Sequence, residues 1–181
     1  MKILLTGGNG FIGRNLQTKL QDQNLLITSR HDIPNKPGKY FKKNISRNEN
    51  FEDCLKGVDV VIHLAAIVHK KNSPTDFMET NCFGTLNLAR QAAKLGVKRF
   101  IFLSSIKVNG ERTLPNQSFR FDDKRQGEDD YAKSKAEAEL GLLKIAAETQ
   151  LEVVIIRPPL VYGPGVKANF KALLNLASKN L

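Results

Sequence analysis

The feature that most constrains the fold is the octapeptide TGGNGFIG, which directly follows a short apolar segment at the N-terminus. Its glycines Gly7, Gly10 and Gly13 recur at three-residue intervals between a predicted strand and a predicted helix. There the first glycine permits a tight turn, the second lets a pyrophosphate approach the backbone, and the third lets the helix pack against the sheet. The free N–H groups at the helix start attract phosphate. We therefore predict a dinucleotide site, with Phe11 and Ile12 also lining it.

Strand-like and helix-like segments alternate along the whole chain, a pattern typical of a parallel sheet covered by helices. Predicted strands lie at 2–6, 24–29, near 40, 58–65, 97–105 and 151–158, and predicted helices at 11–22, 48–56, 75–95 and 130–149. The segment VKRFIFLSS is apolar enough for a strand covered on both faces. The predicted fold class is α/β, a Rossmann-type doubly wound parallel sheet with helices on both faces.

Two long irregular stretches, 30–39 and 107–129, interrupt this alternation. The second is too long for a simple connection, so it either shapes a site or forms a surface excursion. The C-terminal stretch ANFKALLNLASKNL predicts the start of one more helix.

The residues after the second predicted strand bear on the type of dinucleotide. NAD-binding proteins of this fold place a carboxylate there to bind the adenosine ribose hydroxyls. This chain has Ser29 and Arg30 instead, and a guanidinium suits the 2′-phosphate of NADP. Asp32 would serve as the ribose acceptor if the strand ended two residues later. The cofactor is therefore predicted as NADP or NAD, with NADP slightly preferred and Arg30 among the residues that bind it.

The string YAKSK places Tyr131 and Lys135 on one face of a predicted helix. An ammonium about 4 Å from the phenol favours the phenolate by about 4 kcal/mol at an effective dielectric near 20. That would bring the tyrosine pKa to about neutral, where proton transfer is efficient. Alone, this spacing is typical of an exposed helix face. Here it follows a strand that ends in Ser104 and Ser105 at the ligand-binding edge of the sheet, which favours a catalytic role.

The amino-acid composition limits the kinds of partner that the protein is expected to bind. The formal net charge of +10 raises nucleic acid as a partner, but the basic residues are spread out without interleaved aromatics. A solvated basic surface is predicted, and nucleic acid is not. Because no stretch approaches roughly 18 consecutive apolar residues, a cytoplasmic protein without membrane association is expected. Cys54 and Cys82 lack partners at ligand spacing, so we predict buried thiols and neither a disulfide nor a metal site.

Across essentially its whole length, the chain resembles the extended short-chain dehydrogenase/reductases of the nucleotide-sugar epimerase and dehydratase group. The matching strings are TGGNGFIG, HLAA, ETNCFGT, FLSSIKVNGE, YAKSK and RPPLVYGPG. The resemblance implies an enzyme whose catalytic triad is Ser105, Tyr131 and Lys135, with Tyr131 as the acid/base. It also implies that Tyr131 and Lys135 contact the cofactor, Lys135 at the nicotinamide ribose, and that Ser105 contacts the substrate.

The same resemblance extends to the middle of the cofactor site. It implies that Leu64, Ala65 and Ala66 form the turn that covers the centre of the cofactor. Asn81 corresponds to the family's asparagine on the central helix, which supports the active site near the cofactor; an ordinary polar helix residue is the alternative. His63 is predicted to be a packed residue at the end of its strand rather than a ligand or base.

Departures from the family pattern narrow the reaction. Dehydratases of this group carry an Asp-Glu pair after the serine or threonine, whereas this chain has Ile106 and Lys107, so dehydration is not expected. The usual Val-Tyr-Gly has Asn109 in place of tyrosine, which predicts an altered substrate pocket. By the resemblance, Lys107 is expected to contact the substrate and Asn169 its diphosphate.

The resemblance is strongest to the bacterial surface-polysaccharide branch, and implies an NAD(P)-dependent epimerase or 4-ketoreductase acting at C4 of a nucleoside-diphosphate sugar, with a UDP-linked sugar expected. A non-catalytic NAD(P)-binding regulatory module of the same fold is the alternative. Residues 1–168 are predicted as the NAD(P)-binding domain and 169–181 as the start of a substrate-domain region. Since family members run to about 300 residues, ordinary for two domains, a truncated chain is expected. A homodimer through the helices bearing Asn81 and Tyr131 is also expected.

Overall fold

Six parallel strands form one sheet in the order β3-β2-β1-β4-β5-β6, as the predicted fold class requires. The computed structural model describes residues 1–31, 39–68, 73–166 and 168–178. The strands are β1 (Lys2–Thr6), β2 (Asn24–Ser29), β3 (Lys39–Lys42), β4 (Val60–His63), β5 (Arg99–Leu103) and β6 (Glu152–Ile156). Each lies within or beside a predicted strand, because short apolar runs bounded by turns identify buried parallel strands well.

The helices also lie near their predicted positions, with two differences. They are α1 (Phe11–Lys19), α2 (Glu52–Leu55), α3 (Pro74–Phe77), α4 (Thr85–Lys94), α5 (Asp130–Glu148) and α6 (Ala168–Ala177). The helix predicted at 75–95 is divided, since a π-helical segment, Met78–Gly84, joins α3 to α4. The helix predicted at 48–56 is only four residues long. Asn87 and Gln91 of α4 explain this, because their amides bind the backbone of Ser46 and Glu49 and hold that stretch in a turn.

Both faces of the sheet are covered. Along β1, Leu4 packs into the main core cluster with Val61 and Phe100, together with residues of α4 and α5. Side chains alternate between the faces of a strand, so Ile3 and Leu5 lie on the opposite face, where they are also buried. This two-sided burial is the reason that the central strands are continuously apolar.

The strand order reverses beside β1, between the connection to β2 and the connection to β4. In an open α/β sheet, ligands bind in the crevice at the carboxyl ends of the strands on either side of such a point. Thr6 and His63 are register partners at these ends. The fold therefore directs the glycine turn, which begins at Gly7, into this crevice.

Within the described residues, the helices are all too short or too polar to cross a lipid bilayer.

Candidate cofactor and active site

A cleft runs along the carboxyl ends of the strands and has two compartments. The outer compartment extends to the ends of β2 and β3, and the inner one to β5 and α5. Gly7, Gly10, Leu64 and Ala66 line both, so the glycine turn lies at the middle of the cleft. The other predicted site residues at the cleft surface are Phe11, Ile12, Gly13, Arg30, Ala65, Ser105, Tyr131 and Lys135.

The glycine turn brings backbone segments too close together for side chains. A Cβ atom on Gly13 would lie 2.4 Å from the carbonyl oxygen of Gly7, and one on Gly7 would lie 2.6 Å from the nitrogen of Ala65. Gly7 also has a φ of +69°, a conformation that favours glycine. This backbone cradle at the start of α1 fits a dinucleotide diphosphate, which binds the free N–H groups of a helix N-terminus.

At the outer end of the cleft, Ser29 and Arg30 follow β2 as predicted. The Ser29 hydroxyl accepts hydrogen bonds from Nδ2 of Asn9 at 2.8 Å and from the backbone nitrogen of His31 at 3.2 Å. Arg30 is exposed and lines the compartment, so its guanidinium is accessible to a phosphate. Asp32, the alternative ribose acceptor, lies outside the described residues.

Asn81 is fully buried behind the wall of the cleft, so the structure does not support direct cofactor contact by its side chain. Its Oδ1 accepts from the nitrogen of Ile67 at 2.8 Å, and its Nδ2 donates to the carbonyl oxygen of Ile67 at 2.9 Å. Ile67 lines the outer compartment. Nδ2 also donates to Ser134, whose hydroxyl donates to the carbonyl oxygen of Tyr131. Asn81 therefore connects Ile67, in the wall of the outer compartment, to α5, the helix that carries Tyr131.

The two serines after β5 have different surroundings. The hydroxyl of Ser104 donates to the buried carboxylate of Glu139 at 2.6 Å and is almost inaccessible. Ser105 faces the cleft and caps a short 3₁₀ turn, accepting from the nitrogen of Lys107 at 3.3 Å. Of the two, Ser105 is the one available to a substrate oxygen.

Tyr131 lies in the first turn of α5, whose start is fixed by Asp129. The Asp129 carboxylate caps the helix by accepting from the nitrogen of Ala132 at 2.7 Å. Burial raises the pKa of Tyr131, outweighing the lowering by the Ser105 side chain and by Lys107. The expected shift of this pKa to about neutral is therefore wrong for the structure as it stands. Tyr131 is a phenol at neutral pH and faces the inner compartment.

The reason lies in the position of Lys135. Its Nζ atom donates to the carbonyl oxygen of Leu103 at 2.8 Å and lies 4.4 Å from the centroid of the Phe102 ring. The side chain is 1% exposed, and burial lowers its pKa to about 7 although Glu139 raises it. At neutral pH the amine is therefore charged only part of the time, which weakens the effect expected on Tyr131.

A second cleft of about 740 Å³ adjoins the inner compartment. Ser105 and Tyr131 line both the inner compartment and the second cleft, so they lie where these two spaces meet. Lys107 lies on the second cleft, where its ammonium binds the carboxylates of Glu111 and Asp129, each at 2.8 Å. The predicted substrate contact Lys107 is thus beside Tyr131, whereas the side chain of Asn169 lies outside the described part of the chain.

Asn109, the residue predicted to alter the substrate pocket, has a structural role in the long loop. Asn109 is 3% exposed and does not line the second cleft. Its amide donates to the carbonyl oxygen of Arg120 at 2.8 Å and accepts from Arg157 at 3.0 Å. It therefore anchors the long 107–129 loop. Arg157 in turn binds Glu139, a buried carboxylate that the sequence did not single out.

His63 is packed at the end of β4, as predicted. It is fully buried, with its ring centroid 5.7 Å from that of Phe100 and 5.9 Å from that of Phe102. Burial lowers its pKa to about 3, so the ring is neutral. Cys54 and Cys82 are free and buried, also as predicted.

The family model described as "NAD dependent epimerase/dehydratase family" matches residues 3–178. The chain is 48% identical to a UDP-glucose 4-epimerase of Vibrio cholerae, over 99% of this chain and 57% of that protein. It is 31% identical to the N-acetyl-alpha-D-glucosaminyl-diphospho-ditrans,octacis-undecaprenol 4-epimerase of Escherichia coli, over 95% of this chain and 52% of that protein.

Among solved structures, the fold is similar to that of MoeE5 in complex with UDP-glucose and NAD. The TM-score is 0.85 at 29% identity, covering 98% of this chain and 60% of MoeE5. The chain therefore spans between half and two thirds of the length of these relatives.

Proposed function

Because the chain belongs to the NAD dependent epimerase/dehydratase family, we propose that it binds NAD(P) and supplies the catalytic residues of a UDP-sugar 4-epimerase. The observation that carries this proposal is the position of Ser105 and Tyr131 on the border between the inner cofactor compartment and the second cleft. A group on that border would be within reach of both a cofactor in the inner compartment and a sugar in the second cleft. The two 4-epimerase relatives support the reaction type.

In this reaction Tyr131 exchanges a proton with the C4 hydroxyl of the sugar. The nicotinamide of a dinucleotide held by the glycine turn and the inner compartment would supply the complementary hydride chemistry at C4 of the sugar. Ser105 hydrogen-bonds the same sugar oxygen and so aligns it with the phenol. The Ser105 hydroxyl and the Lys107 ammonium both lower the pKa of Tyr131, so they favour its phenolate as the sugar hydroxyl loses its proton.

The cleft residues also bear on the substrate. Tyr131, Ser105 and Lys107 present a phenol, a hydroxyl and an ammonium to one hollow, which suits a polyhydroxylated sugar. We take UDP-glucose and UDP-galactose as the first pair to test, since the Vibrio cholerae relative bears that name. A role in surface-polysaccharide synthesis is part of the proposal, and the undecaprenol-linked substrate in the name of the Escherichia coli relative supports it.

The test is interconversion of UDP-glucose and UDP-galactose, followed by NMR with NAD present. The wild type should reach the same mixture from either side, and Tyr131→Phe should lose at least 10²-fold in rate while still binding NAD. Tyr40→Phe is the matched control, because the Tyr40 hydroxyl contacts Gln17 outside the cleft. Dinucleotide binding without turnover of any UDP-hexose would instead support the non-catalytic regulatory module.

For the cofactor, we propose that Arg30 lets the site accept NADP as well as NAD, with a preference for NADP. The exposed guanidinium at the outer end supports this, while the similar structure of MoeE5 holds NAD. Titration of both dinucleotides into wild type and Arg30→Ala decides it. Loss of NADP affinity with little change for NAD supports the proposal, and equal changes for the two contradict it. Arg14→Ala is the control, since Arg14 is also exposed near the glycine turn.

A 4-ketoreductase is the second candidate, and Arg30 is the observation that favours it, because net reduction consumes NADPH. Supplying UDP-4-keto-6-deoxy-GlcNAc with NADPH separates the two. Oxidation of NADPH by this substrate supports the reductase, whereas interconversion of UDP-hexoses without net oxidation supports the epimerase.

We also propose a homodimer through α4 and α5. Phe83, just before α4, and Leu140 on α5 are exposed at 37% and 48%, which leaves apolar area available for a partner. Light scattering of wild type and Leu140→Lys tests this. A wild-type dimer that becomes a monomer in the variant supports the interface, and a monomeric wild type contradicts it.

A further inference from the structure

A chain of buried hydrogen bonds runs from Ala65, in the wall of the outer compartment, to the π-helical segment. It passes through side chains that the proposed reaction does not use. The backbone nitrogen of Ala65 donates to Oγ1 of Thr6 at 3.2 Å, and that oxygen lies 2.7 Å from Nδ1 of His63. On the other side of the ring, Nε2 lies 2.9 Å from Oγ1 of Thr85, which lies 2.8 Å from the carbonyl oxygen of Asn81. The three side chains in this relay, Thr6, His63 and Thr85, are fully buried.

For a neutral ring, only one arrangement of protons satisfies every contact. The carbonyl oxygen of Asn81 can only accept, so the single hydroxyl hydrogen of Thr85 points to it. Oγ1 of Thr85 must then accept from Nε2 of His63. A neutral imidazole has one N–H, so Nδ1 accepts, and the hydroxyl of Thr6 donates to it while accepting from Ala65. The ring is thus fixed as the Nε2–H tautomer.

Both ends of the relay lie against the site. At one end, the nitrogen of Ala65 is the atom that a Cβ on Gly7 would meet at 2.6 Å, so its position sets the separation between the glycine turn and the opposite wall. At the other end, the relay reaches the backbone carbonyl of Asn81. The side-chain amide of the same residue bonds to the backbone of Ile67 and, through Ser134, connects to the carbonyl oxygen of Tyr131. A displacement of the relay would therefore move the cofactor wall relative to the catalytic helix.

We propose that His63 is a positioning residue of the cofactor site, and that its neutral Nε2–H tautomer holds the Leu64–Ile67 wall and the π-helical segment at Asn81 at the spacing that a dinucleotide requires. The proposal rests on the cofactor site proposed above. The surroundings of the ring favour its neutral form, because it is fully buried, packs against the Phe100 and Phe102 rings and lies close to the amine of Lys135. His63 therefore acts through fixed geometry and not as an acid or base.

The first experiment reads the tautomer directly. In ¹⁵N-labelled protein, the imidazole signals of His63 should show a protonated Nε2 and an unprotonated Nδ1, unchanged between about pH 8 and pH 5. Thr85→Val removes the acceptor of Nε2–H, and should shift that signal or allow the Nδ1–H form to appear. A charged ring, or the Nδ1–H tautomer in the wild type, would overturn the relay whether or not the protein binds a dinucleotide.

The second experiment measures the dissociation constant for NAD in four variants that remain folded by circular dichroism. His63→Phe keeps the aromatic packing but removes both hydrogen bonds, and should raise the Kd at least tenfold, as should Thr85→Val. His63→Gln retains one donor and one acceptor, and should remain within about threefold of wild type. Thr149→Val is the control, because Thr149 donates to a carbonyl oxygen four residues earlier, as Thr85 does, but at the far end of α5.

The pattern across these variants distinguishes positioning from simple stability. If Thr149→Val weakens NAD binding as much as Thr85→Val does, or if His63→Gln is no better than His63→Phe, the positioning role is wrong. If His63→Phe does not fold, Thr85→Val and the imidazole spectrum still decide. A wild type that binds no dinucleotide would refute the proposed cofactor site, and with it the positioning role, while the spectrum still tests the relay itself.

Discussion

Replacing Lys135, the lysine of the predicted catalytic triad, with methionine is expected to stabilise the fold. Burial lowers the pKa of this lysine from its ordinary 10.5 to about 7, although Glu139 raises it. Since each pH unit corresponds to about 1.4 kcal/mol, holding this amine in the interior costs about 5 kcal/mol at pH 7. Methionine is of similar length and carries no charge, so it avoids the cost.

Two contacts of the amine are lost in Lys135→Met, and their loss reduces the expected gain in stability. Nζ of Lys135 donates to the carbonyl oxygen of Leu103 at 2.8 Å and lies over the Phe102 ring at 4.4 Å. A hydrogen bond and a cation–π contact of this kind each contribute about 1 kcal/mol. The free energy of unfolding of Lys135→Met should therefore exceed that of the wild type by about 2–3 kcal/mol at pH 7.

The gain depends on pH in a defined direction. Between about pH 7 and 10.5, the unfolded chain holds a proton on Lys135 that the folded protein has largely released. The unfolded state binds more protons in this window, so wild-type stability rises with pH by up to about 1.4 kcal/mol per unit from this residue. The advantage of Lys135→Met should shrink by the same amount, and it should be largest below pH 7.

Urea denaturation at about pH 7 and pH 9 measures both quantities. Lys133→Met is the matched control, because Lys133 is exposed on the same helix, and its replacement should change stability by less than about 0.5 kcal/mol. A Lys135→Met protein that is less stable than the wild type at pH 7 would refute the reasoning. So would a difference between the two that stays constant from pH 7 to pH 9.

Three further predictions follow from buried groups. Gly13→Ala should abolish NAD binding, because its Cβ would lie 2.4 Å from the carbonyl oxygen of Gly7; NAD affinity within threefold of wild type would contradict the tight turn. Glu139→Gln should destabilise the fold by about 3–5 kcal/mol by urea denaturation. Burial raises the pKa of Glu139, but hydrogen bonds from its partners lower it by more, so the net pKa lies below the ordinary glutamate value of 4.5. The stability that this carboxylate contributes is therefore lost as the pH falls below 4.5, and the difference in stability between Glu139→Gln and the wild type should shrink there. Cys54 and Cys82 should resist alkylation in the native protein at pH 8, since burial raises their pKa values to about 12 and about 11, and labelling before unfolding would contradict this.

The sheet and the glycine turn could be predicted from sequence because their causes are local. The buried strands are continuous apolar runs, and the spacing of Gly7, Gly10 and Gly13 encodes a backbone approach that only glycine allows. The division of the central helix by a π-helical segment could not be predicted. Asn81 lies in this segment, and its side chain bonds to the backbone of Ile67, a contact that helix periodicity does not reveal.

The differences between prediction and structure in the site have the same origin. Tyr131 and Lys135 share a helix face by spacing, but the spacing does not reveal that the amine bonds to Leu103 and loses charge through burial. Asn109 follows Ser105 by four residues, but its side chain bonds to Arg157, which follows another strand. Contacts between segments far apart in sequence decide each of these points, and a single sequence carries no periodic signal for them.

The proposed division of work between Tyr131 and the cofactor can be tested by following the hydrogen at C4 of the sugar. The protein is incubated in ordinary water with NAD and with UDP-glucose that carries deuterium at C4, and the product is examined by NMR and mass spectrometry. If Tyr131 exchanges only the hydroxyl proton while the C4 hydride leaves and returns on the cofactor, UDP-galactose should form with its deuterium retained at C4. Loss of the deuterium to solvent would contradict the proposed reaction.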